Sequence, residues 1–215
     1  MLFSKDGIYS RDVVMFKTSP WGVCYVKDNM VAVTLYDEKR VSFIDVTTNK
    51  IVKYVNVSKR CYGIDCDGEI IVLIMLDINF YAFCTMDLDG NILCPVKALS
   101  ERSSCISLFA KHFYIADFTQ GKLSCYRMNG DLRWSSNLGN MHKIRGLSID
   151  IHGFVYAACS GSKQVIVIPQ DGKQSRVILS QDDGMKEHFA VHIGRKTSSL
   201  LVCNKTNGIA LLFRI

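Results

Sequence analysis

A short polar turn signal recurs along this chain at a spacing of about 40 residues. It appears as Thr48-Asn49, Asp89-Gly90, Asn129-Gly130 and Asp171-Gly172, and Asp6-Gly7 extends the series toward the N-terminus. Asn and Asp tolerate left-handed backbone angles and Gly adopts them without steric cost, so such pairs join two antiparallel strands. Between the turns lie short runs rich in β-branched and aromatic residues. In 103–144 these are Cys105-Ile106-Ser107-Leu108-Phe109, His112-Phe113-Tyr114-Ile115-Ala116, Lys122-Leu123-Ser124-Cys125-Tyr126 and, past the turn, Leu132-Arg133-Trp134. Residues 145–187 repeat the order, and no segment supports a long amphipathic helix. Four strands in about 40 residues is the pattern of a β-propeller blade, in which neighbouring blades bury each other's faces.

The turns divide one all-β propeller domain, 1–215, into blades at 21–60, 61–102, 103–144, 145–187 and 188–215. The last of these supplies only three strands. Its outer strand is expected from 6–16, which closes five blades and removes an exposed sheet edge. Met1-Leu2-Phe3-Ser4 resembles the end of another third strand, duplicating Leu211 to Arg214. The alternative is therefore a six-bladed propeller whose first blade is cut to half.

Composition agrees with a packed domain: 48% of the 215 residues are hydrophobic and 21% charged, enough to bury a full core. The nine cysteines stand alone, mostly inside apolar runs such as Ala157-Ala158-Cys159. No CxxC occurs, and the Cys61/Cys66 pair has no matching second half, so no zinc site is expected. Buried thiols in a reducing compartment are the expectation, hence a cytoplasmic location. No run approaches the ~20 apolar residues of a membrane helix, and an acidic residue at position 6 precedes any signal-like apolar stretch. No membrane association is expected, and the chain is expected to be a monomer.

Beyond the repeat, particular residues carry a resemblance. Arg145-Gly146-Leu147-Ser148-Ile149-Asp150, Gly153-Phe154-Val155-Tyr156-Ala157, Lys163-Gln164-Val165-Ile166-Val167-Ile168 and Asp171-Gly172-Lys173 resemble an NHL repeat. Pro20-Trp21-Gly22-Val23-Cys24, Cys61-Tyr62-Gly63-Ile64 and Leu200-Leu201-Val202-Cys203-Asn204-Lys205 fit the same family. The run as a whole resembles the C-terminal NHL propeller of tripartite-motif (TRIM) proteins of the invertebrate type. That resemblance implies a recognition module, the substrate-recognition part of a ubiquitin-ligase system. Ligase activity itself is not implied, because this sequence has no zinc-ligand array for the RING and B-box regions.

Catalytic sets are not found. The five histidines fall at loops or strand starts of different blades. His188 and His192, on one strand, would stand roughly 13 Å apart, too far to share a metal. No Gly-x-Ser-x-Gly elbow, P-loop or dinucleotide fingerprint occurs. Asp65, Asp117 and Asp150 are read as turn residues. A non-enzymatic chain without metal or cofactor is expected.

The formal charge of +6 is expected to be unevenly placed. Loops from each fourth strand to the next blade, and from each second strand to the third, share one propeller face. That face is expected to be basic, through Lys39, Arg40, Lys59, Arg60, Arg102, Lys143 and Arg145, with the segments Lys59-Arg60 beside Tyr62 and His142-Lys143-Ile144-Arg145 foremost. Asp65, Asp67, Asp150 and Asp171 help make the opposite face acidic. The aromatics expected in the basic loops are few, Tyr36 and Phe118, and Trp21 and Trp134 are assigned as packing anchors between blades. The functional expectation is a scaffold that binds a protein or peptide partner. The alternative is single-stranded RNA on the basic face, held by phosphate contacts and base packing.

Overall fold

The computed structural model describes residues 2–4, 8–77, 80–99, 102–103, 105–139, 143–195, 197–204 and 209–215; the expected turn at Asp6-Gly7, His142 and Lys205 lie outside them. The chain divides into two compact units, 1–99 and 100–215. The first opens with a hairpin of β1 (Leu2–Phe3) and β2 (Tyr9–Arg11). Two four-stranded antiparallel sheets follow. One is β3 (Pro20–Lys27), β4 (Met30–Leu35), β5 (Arg40–Asp45) and β6 (Lys50–Asn56). The other is β7 (Arg60–Cys66), β8 (Ile70–Leu76), β9 (Tyr81–Asp87) and β10 (Ile92–Ala98).

The second unit holds three sheets. The first is β11 (Ile106–Phe109), β12 (His112–Asp117), β13 (Lys122–Arg127) and β14 (Leu132–Asn137). Next come β15 (Ile144–Ile149), β16 (Val155–Cys159), β17 (Gln164–Ile168) and β18 (Arg176–Leu179). Among the described residues the last sheet has three strands, β19 (His188–Gly194), β20 (Ser199–Asn204) and β21 (Ala210–Arg214). Every sheet runs strand to neighbouring strand, so the chain is all-β with five blades.

The N-terminal segment departs from the expected outer strand of the last blade. Within 6–16, β2 pairs with β1, and Ser4 clamps that hairpin: its N–H donates to the Ile8 carbonyl at 2.8 Å, and Ile8 N–H to Ser4 Oγ at 3.2 Å. Val13, Val14 and Phe16 pack on Val33, Leu35 and Ile44 of the first blade, and Arg11 donates to the Val46 carbonyl at 2.8 Å. A hairpin closed over a few residues loses far less chain entropy than pairing with a strand some two hundred residues away.

Inside each unit the blades bury one another. Middle strands such as β8 (Ile-Ile-Val-Leu-Ile-Met-Leu) are buried along nearly their whole length, whereas the outer strands β6 and β14 alternate. Val26, Ala32, Val41 and Phe43 of the first blade form one cluster with Ile64, Ile71, Leu73, Met75 and Met86 of the second. The hairpin turns add a second seam. Gly90 (φ 93°) and Gly172 (φ 73°) occupy the left-handed region the turns require. Each also lies under an outer-strand side chain of the preceding blade: a Cβ would stand 2.6 Å from Val55 at Gly90 and 2.5 Å from the Trp134 ring at Gly172. Trp134 is thus the packing anchor expected of it.

Polar bridges join the inner strands. Gly22 N–H donates to Thr34 Oγ1 at 2.8 Å, and the Thr34 hydroxyl donates to the Tyr62 carbonyl at 2.7 Å. A Cβ on Gly22 would lie 2.6 Å from that same carbonyl oxygen, so only glycine permits the approach. In the second unit Ile193 N–H donates to Ser148 Oγ at 2.9 Å. Arg195 donates to the Ile149 and Leu108 carbonyls, each at 3.0 Å, and so ties three blades together.

All nine cysteines are free thiols. Burial pushes Cys61, Cys66 and Cys105 up to about 11 and Cys84 and Cys159 to about 12. Low thiolate content and burial together make them unreactive. Among the described residues no helix is long and apolar enough to cross a membrane.

Two outcomes follow from this packing. Thr34→Val should lower stability in urea titration by about 1–3 kcal/mol, because Gly22 N–H and the Tyr62 carbonyl lose a buried partner; Thr34→Ser should recover most of it. A thiol-reactive dye at neutral pH should label few of the nine cysteines in the native protein and all nine after denaturation; fast native labelling of the core thiols would contradict the burial described.

Candidate functional site

Four of the seven expected basic residues come together in the first unit. Lys39, Ser58, Lys59, Arg60, Leu76 and Asp77 line a cleft of about 370 Å³, and Arg40 follows Lys39 at the start of β5. Lys39 sits in the turn after β4 with φ 50°, and its carbonyl accepts Val57 N–H at 2.8 Å. Arg60 opens β7, the inner strand of the next blade.

Two of these four cations are paired with carboxylates where they stand. Arg40 pairs with Glu38, and Lys59 pairs with Asp77. The Thr18 hydroxyl donates to Glu38 at 2.6 Å and, with Arg40 and Lys17 nearby, holds that carboxyl below its usual range. Three cations also lie over rings: Arg40 at 4.7 Å from Tyr54, Lys59 at 5.1 Å from Phe80 and Arg60 at 5.2 Å from Tyr36.

What the sequence reading missed is a group of touching aromatic rings at this end of the two blades. Trp21 meets Tyr62 edge-on at 4.9 Å and Tyr36 at 5.6 Å; Tyr36 and Tyr62 are 4.7 Å apart; Tyr81 stacks on Tyr62 at 5.9 Å. Trp21 is 52% exposed, so besides bridging the two blades it presents a surface. Burial, then the Tyr36 hydroxyl, pushes the Tyr62 phenol up, leaving it neutral at any physiological pH. The rings come from β3, the end of β4, β7 and the start of β9, so a search of loops alone finds only Tyr36. A signal was present: Trp21 and Tyr62 each immediately precede the glycine (Gly22, Gly63) near the start of an inner strand.

The other three expected residues lie in the second unit. Arg145 stands 4.6 Å over the Phe118 ring, repeating between the third and fourth blades the contact that Arg60 makes on Tyr36. Arg102 contributes backbone: its N–H donates to Asp117 Oδ2 at 3.0 Å, and its carbonyl accepts Phe118 N–H at 3.2 Å. The Lys143 carbonyl, in a residue with φ 42°, accepts the Ser160 hydroxyl at 3.0 Å. Asp117 is a turn clamp: Oδ1 accepts Thr119 N–H at 2.7 Å, the Thr119 hydroxyl at 2.6 Å and Gln120 N–H at 3.0 Å. Asp150 does the same for His152 and Phe154 N–H, both at 2.9 Å.

Among the described residues no cluster of three or more His, Cys, Asp or Glu side chains is arranged to hold a metal ion. The arrangement offers rings, hydroxyl and indole groups, and two ion pairs beside two further cations.

No protein-family model and no curated protein matches the sequence. Solved structures do resemble the fold. The Swd1 β-propeller domain of Myceliophteria thermophila aligns over 98% of this chain and 87% of its own, with a TM-score of 0.68 at 8% identity. Virginiamycin B lyase from Staphylococcus aureus aligns over 92% of this chain and 70% of its own, with a TM-score of 0.65 at 13% identity. Hydrazine synthase of Kuenenia stuttgartiensis aligns over 91% and 83%, with a TM-score of 0.60 at 12% identity. The fold is that of a five-bladed β-propeller.

Burial raises the Asp117 carboxyl, but its four hydrogen bonds outweigh this and hold it below the ordinary aspartate value. A depressed folded value gives stability that is complete above the unfolded pKa, near about 4, and lost as pH falls through the folded one. Thermal melts from pH 7 down to pH 2 should therefore show an acid limb that is shallower in Asp117→Asn, and Asp117→Asn should already be less stable at pH 7.

Proposed function

We propose that this chain is a non-catalytic recognition module that holds a protein or peptide partner on the aromatic cluster at one end of the first two blades. The observation that carries the reading is the half-exposed Trp21 ring set against Tyr36, Tyr62 and Tyr81, bordered by cations already paired with carboxylates. Aromatic anchors with donor groups at their rims dominate binding energy at protein interfaces. A surface on which two of four cations are already paired gains less from a polyanion, since Asp77 and Glu38 would repel it.

The finer reading rests on the NHL-like residues at 145–173: an NHL-type propeller supplying substrate recognition to a tripartite-motif ubiquitin-ligase system, as a cytoplasmic monomer. RNA is the second reading, favoured by one observation, the Arg-over-ring pairs Arg60/Tyr36 and Arg145/Phe118, which combine a cation with a stacking surface.

Salt separates the two. Partners captured by the parent chain should survive moderate salt and be lost selectively from Trp21→Ala, whereas random single-stranded RNA measured by polarisation should bind weakly at low salt and vanish at moderate salt. Saturable RNA binding abolished by Lys59→Glu, Arg60→Glu, Lys143→Glu and Arg145→Glu together would reverse the ranking. Asp77→Asn, which frees Lys59, should raise RNA affinity severalfold over the parent, and no change would mean the ion pair does not limit it.

A further inference from the structure

We infer that the aromatic cluster takes a proline-rich segment in the polyproline II conformation. The inference rests on the peptide-recognition reading above and names the kind of peptide. Trp21, Tyr36 and Tyr62 form a triangle of rings 4.7–5.6 Å apart, and Tyr81 extends it beyond Tyr62 at 5.9 Å. Rings this close leave no cage into which a methylammonium or a single side chain could insert, so the cluster works as a ridged platform. Proline rings pack flat on such ridges, and one polyproline II turn advances about 9 Å, while the Trp21 and Tyr81 rings lie 4.9 and 5.9 Å from the Tyr62 ring.

Hydrogen-bonding chemistry points the same way. A polyproline II backbone makes no internal hydrogen bonds, so its carbonyls seek donors, and it offers few N–H groups in return. The platform carries donors: the Trp21 indole N–H and the Tyr81 hydroxyl, beside the neutral Tyr62 phenol. An ordinary strand would bring unmatched N–H groups onto ring faces.

The charges at the rim agree with a ligand carrying little charge. Arg40 is matched by Glu38 and Lys59 by Asp77, while Arg60 lies on the Tyr36 ring. Two of the rim's four cations are thereby paired, and the two carboxylates weaken its pull on a phosphate chain. The ligand arrives already extended and stiff, so little conformational entropy is lost on binding.

The test is polarisation of a fluorescein-labelled peptide of ten prolines against the full chain, beside a Gly/Ser peptide of equal length and a single-stranded oligouridylate, at low and moderate salt. The expected result is saturable, salt-insensitive binding of the proline peptide, weakened by about tenfold or more in Trp21→Ala and in Tyr81→Ala. Trp21 and Tyr81 lie at the surface end of their strands, and an unchanged melting temperature for either variant separates lost contact from lost fold. Proline-peptide binding no tighter than the Gly/Ser peptide, or equal in both variants, overturns the inference. If captured protein partners still depend on Trp21 in that case, the peptide-recognition reading survives without its proline-rich ligand. Trp21-dependent binding of the oligouridylate alone would remove both.

Discussion

The Thr34 hydroxyl stands between two blades and hydrogen-bonds to the backbone of each, accepting from Gly22 N–H and donating to the Tyr62 carbonyl. An inner strand pairs with its own blade on one side only, so its other backbone groups need partners from elsewhere or remain unsatisfied. A side chain from the second strand supplies them here, and Ser148 does the equivalent for Ile193 in the second unit. The bridge demands a close approach that only glycine allows at position 22, and that approach fixes the angle at which one blade meets the next. Its consequence for binding is direct. The residue before Gly22 is Trp21 and the carbonyl at the far end belongs to Tyr62, so the bond that joins the blades also holds those two rings 4.9 Å apart.

Charge behaves differently from what a count over loops implies. Lys59 meets Asp77 of a neighbouring loop, and Arg40 meets Glu38 of the loop that leads into its own strand. Arg60 and Arg145 lie flat on rings of the preceding blade. Guanidinium-on-ring contacts of this kind occur at one blade seam in each unit, so they serve the seam between blades as well as any ligand. Arg195 is likewise engaged with three blades through two carbonyls. A basic residue in a propeller loop is thus as often part of the joinery as part of a field.

The fold was legible because its signals are local. Asn49, Gly90, Gly130 and Gly172 all adopt positive φ in hairpin turns, as their residue types permit, and apolar runs such as 70–76 form buried strands. Within each blade strand follows strand, so the sequence order is also the pairing order. The N-terminal segment was less legible. Strand propensity in 8–16 is real, but it does not say which edge the strand joins, and the hairpin with 2–3 outcompetes a distant edge through its short loop.

The amino-acid sequence by itself determined the repeat, the all-β class and the thiol chemistry, since turn residues, β-branched runs and isolated apolar cysteines act over a few positions. Tertiary structure alone decided which side chains form the site. Trp21, Tyr36, Tyr62 and Tyr81 are separated by 15 to 26 residues and belong to four different strands or their ends. They meet only because the Thr34 bridge sets two blades at one distance and angle, and ring contacts and ion pairs depend on that distance, which no periodicity in the sequence records.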